Sequence, residues 1–196
     1  KRQLSRSLGM EFATAAFHNS YYFHKDDNVI TNKEEVCGDF EKLINLQLKE
    51  KHPKSWMRAF FNMGLINYIE GSRRMLPCQA GEMNFFVEPY GDIYPCNGLE
   101  KKYWKKRMGN IRETPNFKEI WEGEQAEQVR QMVRRCPKNC WMVGTASPVM
   151  HKYIKYPLKW ALKNKLRSLQ GKTACLDKCW YNVGQDPSQG DLREVF

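Results

Sequence analysis

The chain of 196 residues is long enough for one ordinary domain, or for one domain and part of a second. Its aromatic content of 13% argues against general disorder, and no apolar run reaches the length of about 18 residues that spans a bilayer. The formal net charge of +10 favours an anionic partner: nucleic acid, a membrane surface, or a phosphorylated or nucleotide-linked substrate.

The first residues, "KRQLSRS", are polar and do not resemble a signal peptide. Because the chain opens without Met, we expect a fragment or a processed product. The seven cysteines are an odd number, which is awkward for a complete disulfide framework. Together with nine methionines they favour a reducing compartment, and we predict a cytoplasmic protein.

The first part of the chain has the pattern of an α/β unit. Met10 to Phe17 predicts a buried strand, which is followed by the polar loop "HNSYYFHKDDN". An amphipathic helix is predicted ahead of Pro53, and a second, more apolar helix from Ser55 to about Arg73. The apolar positions of the first helix are Val36, Phe40, Leu43, Ile44 and Leu48. A strand followed by helices that pack on its sheet fits the end of an α/β unit.

The pattern changes at Cys78, and we place a domain boundary near residues 73–78. The stretch "NFFVEPYGDIYPCN", Asn84 to Asn97, predicts a short hairpin with Pro89 and Gly91 at its turn. A helical segment follows, "NFKEIWEGEQAEQVRQMVRR", which we expect to divide near Gly123.

The segment "CPKNCW" ends that helical region. Ser147 is a candidate N-cap and Pro148 a candidate first residue of a last helix. This helix is predicted to run towards Leu169, with a break at Pro157.

Four cysteines form the pattern that points most directly to chemistry. Cys78 and Cys96 flank the hairpin, and Cys136 and Cys140 form a C-x3-C pair. Thiolates are soft ligands for zinc and for iron–sulfur clusters, and four of them complete either site. Structural zinc commonly uses two tight pairs, and only the second pair here is tight, so the spacing favours a larger cluster. Zinc, disulfides and plain buried thiols remain alternatives at this point.

The segments "LPCQAGEMNFFVEPYGDIYPCNG", "MGNIRETPNFKEIW" and "VRRCPKNCWMVGTASP" resemble the SPASM or twitch domain found at the C-terminus of radical S-adenosylmethionine enzymes. The family's opening signature has a Cys, about nine to fifteen residues, a Gly, four residues and a Cys. Cys78, Gly91 and Cys96 match it, and "GNI…F…IW" and the closing C-x3-C follow in the family's order.

The resemblance implies an α/β (α+β) chain in three parts. Residues 1–74 would be the C-terminal units of a partial (β/α)6 barrel. Residues 75–146 would be a small twitch/SPASM-like cluster domain of one hairpin and helices, and residues 147–196 a basic C-terminal helix and tail. The full SPASM pattern includes a C-x2-C-x5-C-x3-C run, of which only the last pair is present. The resemblance therefore implies one auxiliary [4Fe-4S] cluster, with Cys78, Cys96, Cys136 and Cys140 as its ligands.

The C-x3-C-x2-C motif that binds the catalytic cluster of this superfamily is absent from the sequence. The resemblance thus implies that S-adenosylmethionine and a second [4Fe-4S] cluster belong to an N-terminal radical barrel, in the same or a separate chain. The auxiliary cluster would support substrate binding or relay an electron during 5′-deoxyadenosyl-radical chemistry. The substrate would be a peptide, a sugar or another small metabolite. The rival interpretation is a zinc-stapled basic binding module without redox chemistry.

His18, Asn19 and Ser20 follow the predicted strand. The carboxyl ends of barrel strands face the active site, so these residues are candidates for binding cofactor or substrate, with a polar loop or helix cap as the alternative. Cys37 is expected in a core. Cys175 and Cys179 form a second C-x3-C pair, interpreted either as a tail without a further role or as part of a metal site.

Two basic segments could bind anions. The last helix carries six cations and no acidic residue: Lys152, Lys155, Lys159, Lys163, Lys165 and Arg167. Its apolar side is formed by Tyr153, Ile154, Leu158, Leu162, Leu166 and Leu169. Such a helix could lie on an anionic membrane surface, or could pack its apolar face on its own domain. The loop "EKKYWKKRMGNI" is basic and aromatic but has no recognisable nucleic-acid-binding motif, so we assign it no such partner.

Overall fold

The computed structural model describes residues 2–10, 12–20, 22–25, 27–98 and 106–176. The chain is a mixed α and β structure with a small antiparallel sheet. The helices described are α1 (Arg2–Ser7), α2 (Lys33–Lys49), α3 (Pro53–Ile69), α4 (Phe117–Glu122), α5 (Glu124–Arg134), α6 (Val143–Lys152) and α7 (Lys155–Leu169). The strands are β1 (Phe86–Val87), β2 (Asp92–Tyr94) and β3 (Gly109–Asn110).

Helices α2, α3 and α7 pack together around the larger of two hydrophobic cores. Both α2 and α3 form where the apolar periodicity predicts them. Pro53 is the first residue of α3. Proline is tolerated at this position because the N–H group that it lacks would have no intrahelical acceptor there. Phe60 and Leu48 are fully buried in this core, which also receives Trp160 of α7 and Trp141, just ahead of α6.

The sheet and the α4–α5 pair enclose a smaller core. The sheet has the order β1-β2-β3, with Phe86 opposite Tyr94 and Asp92 opposite Asn110. The turn predicted between β1 and β2 is present, with Gly91 at φ 93° and its N–H bonded to the carbonyl of Glu88 at 2.9 Å. Among the residues that the structure describes, this core contains five buried apolar side chains: Ile93, Met108, Ile120, Ala126 and Val129.

The division of the helical segment near Gly123 is confirmed, since α4 ends at Glu122 and α5 begins at Glu124. The predicted start of the last helix is wrong. Helix α6 begins at Val143 and contains Pro148 in its interior, and Ser147 caps nothing. The break falls at Tyr153–Ile154, ahead of Pro157, because proline is tolerated in the first turn of the helix that follows.

The strand predicted over Met10 to Phe17 is also wrong. The described residues 12–19 form no strand, although burial alternates from one residue to the next over residues 12–18. The backbone of a strand needs a neighbouring strand for its hydrogen bonds, and the described chain offers this segment none along residues 12–19. The segment is held by side chains of α3 instead: Thr14 Oγ1 donates to Asn62 Oδ1 at 2.5 Å, and Tyr68 donates to the carbonyl of Phe17 at 2.9 Å.

The basic helix packs on its own protein through an unexpected face. Helix α7 buries Pro157, Trp160, Ala161 and Asn164 against α2 and α3, whereas its leucines point away. None of the helices in the described part of the chain is long and apolar enough to span a bilayer.

Candidate metal centre

The four cysteines predicted as ligands lie on three loops between the two cores. Cys78 lies between α3 and the hairpin, and Cys96 follows β2 after a buried proline. Cys136 follows α5, and Cys140 precedes α6. All four carry free thiols and are partly buried. Two of the thiols thus lie on either side of the hairpin, and the other two between α5 and α6.

The four thiols are coupled electrostatically. Burial raises the pKa of Cys96 to about 12, with further contributions from Cys140, Cys78 and Cys136. Burial likewise raises the pKa of Cys136 to about 11 and raises that of Cys140, and both feel the charge of Cys78. In their charged forms, four coupled thiolates in a partly buried site would repel one another. A cationic group bound by them would reduce that repulsion.

Backbone amides in two of the loops favour the thiolate form. A hydrogen bond from the backbone of Gly98 lowers the pKa of Cys96, and one from the backbone of Lys138 lowers that of Cys136. In each loop the donor lies two residues beyond the cysteine. Amide donors directed at sulfur are an outer-shell feature of metal–thiolate sites, where they orient and stabilise the ligands.

Arg74 fixes the Cys140 loop, and nothing in the sequence distinguished it from its neighbour Arg73. Its guanidinium is buried and donates to three carbonyls, those of Leu76, Cys140 and Thr145. The bonds to Leu76 and Thr145 measure 2.9 and 3.1 Å. Arg74 also lies 5.4 Å from the centroid of the Trp141 ring and lowers the pKa of Cys140. A single buried cation therefore joins the chain ahead of Cys78 to the loop of Cys140.

Lys138 joins the two halves of the site. Its Nζ donates to the carbonyl of Gly98 at 2.8 Å, which connects the loop of Cys136 and Cys140 to the loop of Cys96. Its positive charge also lowers the pKa of Cys136 and of Cys140.

The loop of Cys78 is held by side chains from α5 and α6. Arg130 of α5 donates through Nε to the carbonyl of Gly81 at 2.8 Å. Lys152 of α6 bonds to the side chain of Gln79, which is itself buried. Gly81 adopts a φ of 79°, a conformation that favours glycine.

His18 and Ser20, two of the three predicted cofactor-binding residues, reach two of the three cysteine loops. The N–H of Trp141 donates to Nε2 of His18 at 2.9 Å, directly after Cys140. Ser20 Oγ donates to the carbonyl of Asn97 at 2.5 Å, directly after Cys96. Asn19 instead accepts a bond from the N–H of Asn28 at 3.1 Å, within its own loop. These contacts attach the N-terminal segment to the site, and contact with a cofactor stays a prediction.

Zinc and an iron–sulfur cluster place different requirements on four cysteine ligands. A zinc ion needs its sulfur ligands about 2.3 Å away, whereas an iron–sulfur cluster separates them further. Among the described residues no three His, Cys, Asp or Glu side chains are arranged to hold a single metal ion.

The remaining candidates lie elsewhere. Cys37 is buried in the larger core, as expected. Cys175 donates its N–H to Asn164 Oδ1 at 2.7 Å and is packed beside α7, and Cys179 lies outside the described residues. Residues 99–105 of the basic loop also lie outside them, and Arg107, at its end, forms ion pairs with Asp92 and Glu113.

Comparison with known families supports this site. Residues 78–142 match the family model of SPASM, described as an iron–sulfur cluster-binding domain. The match begins at Cys78 and extends two residues past Cys140, so it includes all four thiols. No curated protein and no solved structure matches the chain. Residues 78–142, about one third of the chain, are therefore similar to a SPASM-type iron–sulfur cluster-binding domain.

Proposed function

We propose that Cys78, Cys96, Cys136 and Cys140 bind one auxiliary [4Fe-4S] cluster in the C-terminal part of a radical S-adenosylmethionine enzyme. The observation that carries this proposal is the presence of four free, electrostatically coupled thiols inside the segment that matches the SPASM family. Four thiolates are the usual ligand set of a [4Fe-4S] cluster. The sequence offers no further cysteine between residues 97 and 135, which favours one cluster over two.

The role proposed for the domain is to support substrate binding or electron relay. When bound, the cluster supplies one-electron redox chemistry or a site for a substrate group. The protein contributes the positive charges of Arg74 and Lys138, which stabilise the thiolate of Cys140. It also contributes the amide donors of Gly98 and Lys138 and the partial exclusion of water.

The partner proposed for this domain is a radical barrel, in the same or a separate chain, that generates the 5′-deoxyadenosyl radical. We further propose that residues 12–19, α2 and α3 are the last units of that partial (β/α)6 barrel. The alternating burial of residues 12–18 and the bonds of Thr14 and Phe17 to α3 support this assignment. The substrate would be a peptide, a sugar or another small metabolite.

Anaerobic purification with analysis of iron, sulfide and zinc tests the proposal. We expect about four irons and four sulfides per chain and a broad absorption in the visible range. Cys96→Ser and Cys140→Ser should each lose most of this iron, because each removes one ligand. Cys37→Ser, in the larger core and away from the site, is the matched control and should retain it.

Full iron retention in both ligand variants would show that these cysteines are not the ligands. Zinc at one ion per chain without sulfide would support the rival interpretation, a zinc-stapled basic module without redox chemistry.

A further inference from the structure

The outward face of α7 carries a continuous row of leucines. Leu158, Leu162, Leu166 and Leu169 are 43%, 47%, 61% and 71% exposed, and Ile154, just ahead of the helix, is 43% exposed. Residues three and four apart lie on one side of a helix, so the four leucines form a single apolar stripe. From Ile154 to Leu169 this leucine stripe extends about 22 Å along the surface.

The stripe is not the face that stabilises the fold. Trp160, Ala161 and Asn164 occupy the opposite side and are almost fully buried against α2 and α3. Helix α7 is therefore anchored to the protein by one side while it exposes leucines on the other. Isolated exposed leucines are ordinary, but an aligned row of them marks a surface that binds something.

Lysines border the stripe along its length. Lys155, Lys159 and Lys163 are exposed, and each lies three residues before a stripe leucine, so it is that leucine's neighbour on the helix surface. Helices α6 and α7 contain no acidic residue. Within the described residues, Lys159 and Lys163 form no ion pair, whereas Lys165 donates to the carbonyls of Leu48 and Glu50 at 2.8 and 2.9 Å. Lys159 and Lys163, beside the stripe, are thus available to bind an external anion.

We propose that the leucine stripe of α7 docks the protein on an anionic membrane surface, with the leucines at the acyl boundary and Lys159 and Lys163 among the lipid headgroups. Helices that lie in the membrane interface combine one apolar face with lysines beside it, and long lysine side chains keep their charge in the headgroup layer. The centres of protein–protein interfaces have the opposite composition, since they are enriched in aromatic residues, Met and Arg and depleted in Lys. The chain's net charge of +10 adds attraction towards anionic lipid. This docking does not depend on the metal site.

Vesicle flotation of the full chain tests this docking. The probes are vesicles of phosphatidylcholine alone and of phosphatidylcholine with about one quarter phosphatidylserine. The wild-type chain should float with the anionic vesicles, less so as salt is raised, and should not float with the neutral ones. Replacing both leucines in Leu162→Ser/Leu166→Ser should lower the partition about tenfold or more. Lys159→Gln/Lys163→Gln should lower it by a similar factor, about fivefold per lysine.

The matched controls change exposed residues of the same kinds elsewhere. Val29→Ser, at a side chain 74% exposed, and Lys118→Gln, at a side chain 76% exposed, should bind vesicles like the wild type. Circular dichroism should show that all variants keep their helices, since every substituted side chain is exposed. Equal flotation with neutral and anionic vesicles, or α7 variants that float like the wild type, would overturn the proposal. It would also be overturned if the wild type did not float and Leu162→Ser/Leu166→Ser abolished self-association in sedimentation, which would make the stripe a protein interface.

Discussion

His18 shows how a single side chain couples the protonation of this protein to its fold. Its Nδ1–H donates to the carbonyl of Ala16 at 2.8 Å, while Nε2 accepts the N–H of Trp141. Only the neutral imidazole can do both. Burial lowers the pKa of His18 below 6.5. The Ala16 bond opposes this shift, and the charges of Lys138 and Arg74 add to it.

When the pKa of a group is lower in the folded state, acidification protonates that group at a higher pH in the unfolded state than in the folded state. The stability that His18 contributes is therefore complete above about pH 6.5 and is lost as the pH falls through that value towards the pKa of the folded state. His18→Gln should flatten the decline in the free energy of unfolding between about pH 7 and about pH 5, because glutamine can accept the Trp141 bond but does not titrate. Urea denaturation of both proteins at both pH values measures the difference.

His52→Gln is the control for this prediction. His52 precedes α3 on the surface, and its side chain makes no capping bond, so its replacement should leave the pH dependence unchanged. If His18→Gln loses stability on acidification as steeply as the wild type, the buried neutral imidazole is not the cause.

The residues that could be predicted from the sequence are those whose chemistry is visible in their spacing. The four cysteines have such a pattern, and their assignment as ligands stays a prediction. Arg74 has none, because its role depends on carbonyls 66 and 71 residues further along the chain. His18 was a candidate because of its position after a predicted strand. Its bond to Trp141 spans 123 residues and could not be foreseen.

At the scale of the elements, the contact between α3 and Trp141 requires a glycine. A Cβ atom added at Gly64 would lie 2.1 Å from the indole of Trp141, which is 1% exposed and is fixed by a bond from Nε1 to the carbonyl of Phe61 at 2.9 Å. The indole has no room to retreat. This contact places the loop of Cys140 on the helix, so Gly64 also sets the position of a proposed ligand.

Gly64→Ala should therefore destabilise the protein by about 1–3 kcal/mol, the usual cost of overpacking a core. Gly38→Ala in α2 is the matched control, since no atom lies within 4 Å of its added Cβ. That variant should gain up to about 1 kcal/mol from the better helix propensity of alanine. Urea denaturation of the two variants and the wild type measures both effects, and equal stabilities of Gly64→Ala and Gly38→Ala would contradict the packing argument.

Helices and turns could be predicted from the sequence where residues close together in the chain determine them. The periodicity of α2 and α3, the Pro–Gly turn of the hairpin and the glycine between α4 and α5 all act within a few residues. Met10 to Phe17 has the pattern that predicts a buried strand, but a strand also needs a partner for its backbone. The apolar side of α7 was assigned to its leucines, whereas Trp160 is the side chain that the larger core buries. Composition alone does not say which of two apolar faces meets the core.

At the scale of the whole molecule, the described residues form two cores of unequal size, and the cysteine loops follow residues of both: Leu76 of the larger core precedes Cys78, and Ile93 of the smaller core precedes Cys96. The larger one packs α2, α3 and α7, and the smaller one has five buried apolar side chains within the described part of the chain. A core of that size supplies little stability by itself, and small domains of this kind are commonly held by a bound metal. Cys96 follows β2 and Cys136 follows α5, so a bound group would tie together both sides of the smaller core.

Removal of bound metal should accordingly unfold the two cores to different extents. After anaerobic treatment with a chelator, amides of β2 and α5 should lose about tenfold or more of their protection from hydrogen exchange. Those of α3 should stay protected, because that helix is buried against α2 and α7 without any cysteine ligand. Exchange followed by mass spectrometry measures both regions at once.

Cys96→Ser, purified without chelator, should show the same pattern, since it lacks one of the proposed ligands. A uniform loss of protection over α3, β2 and α5 would mean that the two cores unfold as one unit, in which case the metal would stabilise the whole chain.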